Sequence, residues 1–119
     1  MFERYGGLPF VTRLVLSFYD RVLASRALSP FFAETDMQRL VDHQAKFISS
    51  VMGGPSSYSN AALREAHAHL SIDDRAFDEM LELFKVTLEE ARIGAADVDA
   101  IMVELNTHRV QIVRRPAGR

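Results

Sequence analysis

The 119-residue sequence contains no cysteine. That absence excludes disulfides, thiolate metal sites, iron–sulfur clusters and covalent c-type haem attachment through C-x-x-C-H, so any metal must use imidazole, carboxylate or another non-thiolate ligand. A surplus of charge is missing too: 14 Lys plus Arg stand against 16 Asp plus Glu, a formal net charge of -2. Without a basic excess there is no long-range pull toward polyanions, and nucleic acid is not an expected partner. No apolar run approaches the roughly 18 residues of a membrane span, and Met1 leads almost directly into a helical pattern without a basic-then-apolar leader. A cytoplasmic protein with no membrane partner is expected. Sustained apolar alternation, internal repeats and low-complexity stretches are all absent, so strands are not expected and the fold class is all-α. The His-Glu-x-x-His zinc run and the paired Glu-x-x-His of dinuclear bundles are also lacking.

What is present suits one core: 48% of the residues are hydrophobic, and a chain of this length supports a single domain. We place that domain at residues 1–113 and read 114–119, Arg114-Arg115-Pro116-Ala117-Gly118-Arg119, as a disordered basic tail. Gly6-Gly7-Leu8-Pro9 opens a helix to about Ala24 with the buried stripe Val11, Leu14, Val15, Phe18 and Val22, flanked by Tyr19 and Leu23. Thr35 and Gln38 have capping-box spacing and predict a helix to Met52, stopped by Gly53-Gly54-Pro55. Asn60 can cap a short helix, Ala61 to Leu70. Asp73 or Asp74 opens a long one to about Arg92, with the stripe Phe77, Met80, Leu81, Phe84 and Leu88 and a stop at Gly94. A last helix, about Asp97 to Val113, carries Val98, Ile101, Leu105 and Ile112.

Polar groups interrupt these stripes. Met37, Leu40, Val41, Phe47, Ile48 and Val51 share one face, and Gln44 occupies the remaining position of that series. Burying an unpartnered amide costs about 1 to 3 kcal/mol, so something inside must hydrogen-bond it. Tyr19, one turn after Val15, points its phenol at the same interior; a Tyr–Gln core hydrogen bond is the plain reading. His67 lies four after Leu63 and three before Leu70, on the buried stripe, whereas His69 is rotated by about 200° into solvent. His108 falls between Leu105 and Ile112 and faces inward, and His43 flanks the Leu40–Phe47 ridge. One inward imidazole, an inward phenol and amide, and the corner Phe31-Phe32 describe an apolar slot with polar groups on two sides. A flat porphyrin needs such walls, one axial base and room opposite.

The ordered set Tyr5-Gly6-Gly7, Phe18-Tyr19-x-x-Val22-Leu23, Leu28-Ser29-Pro30-Phe31-Phe32, Asp36-Met37-x-x-Leu40, Gln44, Phe47, Gly53-Gly54-Pro55-x-x-Tyr58, Ala66-His67-x-x-Leu70-x-Ile72 and Phe77 resembles the group I truncated haemoglobins over nearly the whole chain. The resemblance implies a two-over-two helical sandwich enclosing haem b. It makes His67 the proximal iron ligand, Tyr19 and Gln44 the distal pair, Phe32 the aromatic at the haem corner, Leu40 a distal wall, and Leu63, Ile72, Phe77 and Phe47 further wall residues. His43, directly before Gln44, corresponds to a sixth iron ligand in some members, against a solvated or propionate-bonding role. His108 lies near where some members bond a last-helix His to a haem vinyl, against a core or haem-edge contact. Arg64, Lys46 and Tyr58 are propionate candidates. Ile48 stands where relatives often have Phe, and ligand access is expected to be less restricted.

The implied activity is reversible binding of O2, NO and CO, for oxygen binding or transport, NO dioxygenation fed by an external electron-donor reductase, or other redox chemistry. A bis-histidyl haem protein of electron transfer or nitrosative stress is the alternative on the same cofactor. A cofactor-free helical interaction module is the alternative without one. A monomer or weak dimer is expected.

Overall fold

Pro9 sits in the first turn of helix α1 (Gly7–Ala24), where its missing N–H is one that a helix leaves unpaired in any case. The computed structural model describes residues 1–54 and 72–109. Among these, α1 is followed by a 3-10 turn at Ser29–Phe32, α2 (Met37–Val51), α3 (Asp74–Glu90) and α4 (Ala95–Thr107), and no strand occurs. The predicted short helix at 61–70, with Leu63 and His67, lies outside the described residues, as do Tyr58, Arg64 and the tail. No helix among the described residues is long and apolar enough to cross a membrane.

The apolar stripes meet. Val11, Leu14, Val15, Phe18 and Val22 of α1 are all buried, and α1 packs against both α2 and α3. Phe84 and Leu88 of α3 and Val98, Ile101 and Leu105 of α4 complete the core, with α4 lying on α3 and reaching α2. Leu23, one residue past Val22 on α1, is exposed rather than beside the stripe, because each residue turns the helix by about 100°.

The caps differ from the predicted ones in three places. The N-cap of α2 is Asp36, whose carboxylate accepts from the Arg39 N–H at 3.2 Å. The Thr35 N–H is already bonded to Phe32 O, so it is not free to receive the reciprocal bond from the Gln38 side chain that a capping box needs. Helix α4 begins at Ala95 rather than Asp97, with Gly94 as N-cap. Asp97 instead accepts from Tyr5 Oη at 2.7 Å and from Arg4, while the Gly94 N–H donates to Tyr5 Oη at 3.0 Å. The third difference is the stop of α3, where Gly94 has no part. Ile93 N–H bonds Leu88 O and Arg92 N–H bonds Glu89 O, the Schellman pattern, with Arg92 itself in the left-handed region at φ 63°.

Helix α2 ends the same way, but on the residue that suits it. Gly53 takes φ 85° and Gly54 N–H bonds Ser49 O at 2.7 Å. A Cβ on Gly54 would lie 2.9 Å from a Phe2 ring carbon and from Ser49 O, so the second glycine is fixed by close approach. Asp73 caps α3 as expected, accepting from Ala76 N–H at 2.8 Å.

A left-handed L-residue costs about 1 to 2 kcal/mol, of which glycine's added chain entropy gives part back. Arg92→Gly is therefore expected to stabilise the protein by about 0.5 to 1 kcal/mol, read as a higher denaturation midpoint with an unchanged slope.

Candidate functional site

Helical spacing brings inward-facing residues of four helices around one cavity. Val15, Phe18 and Tyr19 come from α1, Gln44, Phe47 and Ile48 from α2, Phe77, Met80, Leu81 and Phe84 from α3, and Leu105 from α4. The cavity offers about 60 Å³ to the centres of water-sized molecules, several times the roughly 10–15 Å³ that one water needs. Tyr19 and Gln44 supply its polar groups; they are only 4% and 8% exposed, and neither is without a partner.

Aromatic contacts stiffen the walls. Phe18 meets Phe84 edge-on with centroids 5.0 Å apart and Tyr19 at 4.9 Å, and Tyr19 in turn meets Phe32 edge-on at 5.9 Å. Phe32, Leu40 and Ile72 are buried in the core around the cavity without lining it. His108 caps the end of α4, half-buried, with its ring edge-to-face on Phe47 at 5.2 Å and Nε2 3.5 Å from Glu104. His43 is half-buried on α2 next to Gln44 and is not among the lining residues. So Tyr19, Gln44, Phe47 and Phe77 are brought to one cavity and His108 to its edge.

Val15, Phe18, Ile48, Met80, Leu81, Phe84 and Leu105 also line the cavity, and the sequence marks them only as core or access positions. Their signal was the helical stripe, which marks burial but not what is buried against it. Arg109, just past α4, carries no signal in the sequence; the Asp78 carboxylate, accepting its N–H, pushes this guanidinium further above its ordinary value, aided by Asp74 and opposed by partial burial.

The donor set is a neutral phenol and a neutral amide on an otherwise apolar wall. Among the described residues no three His, Cys, Asp or Glu side chains come together to hold a metal. These groups can hydrogen-bond a small polar ligand in an otherwise apolar setting.

The sequence pattern of the bacterial-like globins matches residues 1–114. The chain belongs to that family. This globin is 32% identical over 97 residues to the group 1 truncated hemoglobin of Tetrahymena pyriformis, covering 82% of the chain and 78% of that relative. It is 29% identical over 119 residues to the group 1 truncated hemoglobin GlbN of Mycolicibacterium paratuberculosis, covering all of the chain and 88% of the relative. It superposes with a TM-score of 0.85 and 29% identity on the crystal structure of the 2/2 hemoglobin from Synechococcus sp. PCC 7002, a cyanomet form with covalently attached heme, over 96% and 98% of the two chains. The globin therefore has the two-over-two truncated haemoglobin fold, and a haem cofactor and gas-ligand binding come with its family.

Proposed function

We propose that the protein holds haem b on His67 and binds O2, NO and CO reversibly on the side of Tyr19 and Gln44, within a globin domain of residues 1–113. The observation that carries this reading is the buried phenol and amide on the wall of an otherwise apolar cavity. Phe77 and Phe47 serve as further walls, with Leu63, and Phe32, Leu40 and Ile72 support them from behind; His108 lies at the haem edge. When bound, haem iron supplies an open coordination site and shifts more negative charge onto O2 than onto CO.

The Tyr19 hydroxyl donates a hydrogen bond toward that charge. Phe32 and Phe18, packed on the Tyr19 ring, hold the hydroxyl's direction. The Gln44 amide can accept from Tyr19 or donate to the ligand, and the apolar wall keeps bulk water from competing. A hydrogen bond to a charged acceptor contributes about 1.5 to 3 kcal/mol, roughly tenfold to 150-fold in affinity. NO dioxygenation fed by an external reductase fits the same arrangement. The second reading, a bis-histidyl form for electron transfer or nitrosative stress, would require α2 to shift, since half-buried His43 is turned about 100° from Gln44 around the helix.

The unmodified protein is expected to take up hemin and develop a Soret band, and His67→Gly to lose the parent's axial coordination. A protein left colourless by hemin, or a His67→Gly variant with an unchanged spectrum, overturns the reading and favours a cofactor-free module. Stopped-flow kinetics on Tyr19→Phe should show O2 release accelerated roughly tenfold or more and CO release changed far less; equal effects remove Tyr19 from this role. The ferric spectrum of His43→Ala is expected to match the parent's, and a low-spin parent turned high-spin would favour the bis-histidyl form.

A further inference from the structure

Arg109 reaches from the end of α4 to the first turn of α3, and all five of its N–H groups meet acceptors. Nε lies 3.3 Å from Asn106 Oδ1, and Nη1 lies 3.4 Å from Asp74 O and 3.0 Å from Asp74 Oδ1. Nη2 donates to Asp78 Oδ1 and to Asn106 Oδ1, the latter at 3.1 Å. The guanidinium carbon stands 4.7 Å from the centroid of the Phe77 ring, and Phe77 lines the cavity. The preceding residue, His108, rests on Phe47, which lines the same cavity from α2.

An ordinary exposed ion pair contributes little, and Asp74 and Asp78 are 52% and 65% exposed. Arg109 differs because its side chain is only 23% exposed and its planar fork is saturated by two carboxylates, a carbonyl and an amide, with an aromatic ring against the guanidinium. Asp74 and Asp78 are one turn apart on either side of Phe77, a like-charge spacing that destabilises a helix unless a cation stands between. Asn106, one turn before Arg109, braces the guanidinium from its own chain.

We infer that Arg109 is a positioning residue for the cofactor cavity: it clamps the end of α4 to the first turn of α3 and thereby sets Phe77 and His108 as a fixed wall against haem. This inference rests on the reading of the cavity as the haem site. The fork and the plane both matter, and lysine has neither.

Haem retention reads the clamp. With the ferric protein loaded with hemin and an excess of a haem-free acceptor globin, Arg109→Ala should lose haem about tenfold faster than the parent, a change of about 1.4 kcal/mol, with a different Soret circular dichroism but the same far-ultraviolet helix signal. Arg109→Lys, which keeps the charge, should stay closer to Arg109→Ala than to the parent. Added salt should speed haem loss from the parent and leave Arg109→Ala nearly unchanged. In the haem-free proteins, amide exchange at residues 74–78 and 105–109 should be faster in Arg109→Ala than in the parent. Haem loss within about twofold of the parent (under half a kcal/mol), or full rescue by lysine, overturns the clamp. If Arg109→Ala does not fold, Asp78→Asn decides: faster haem loss supports the clamp and the parental rate overturns it. A parent that takes up no haem overturns the functional reading, and the exchange measurement then separately tells whether the clamp exists.

Discussion

Packed side chains gain dispersion energy by closing any void between them, so the cavity among α1, α2, α3 and α4 depends on its walls being held apart by contacts outside it. The aromatic chain from Phe84 through Phe18 and Tyr19 to Phe32 supplies part of that resistance, because flat rings meeting edge-on cannot slide into the gap without losing their partners. The helix ends supply the rest. The Schellman closures of α2 and α3 fix where each helix stops, and Phe2 is pinned beside Gly54 by its N–H to Met52 O at 3.0 Å. A polar pair can then be buried in an apolar wall without the wall rearranging to solvate it.

Periodicity made the four described helices and most of the inner stripe legible before any coordinates. The inward turn of Gln44 and Tyr19 followed from phase alone, because a residue three or four places from buried neighbours on both sides has no other direction to face. Cap chemistry was harder to place. Thr35 and Gln38 have capping-box spacing, yet the preceding turn already holds the Thr35 N–H and Asp36 takes the cap through the Arg39 N–H. Gly94 looked like the end of α3 because glycine tolerates positive φ, but Arg92 adopts that conformation and Gly94 leads into the next helix. Local sequence cannot reveal that Arg92 is drawn into this conformation where Ile93 N–H closes on Leu88 O.

Arg109 was silent for a different reason. Its partners Asp74 and Asp78 lie more than thirty residues earlier, and a charged residue after a helix reads as solvated until the fold places two carboxylates opposite. The same limit applies to Met80, Leu81 and Leu105: a stripe announces that a face is covered, and whether the cover is another side chain or a cavity depends on three neighbouring helices at once.

Tyr5 bonds both Asp97 and the Gly94 N–H, residues about 90 positions further along. During synthesis at about 5 to 20 residues per second, the opening segment waits on the order of several seconds before its partners leave the ribosome. Phe2 finds Met52 and Gly54 much earlier, so it is the Tyr5 hydroxyl alone that settles late, and a nascent chain stalled before residue 94 would hold Tyr5 without the corner that shelters it.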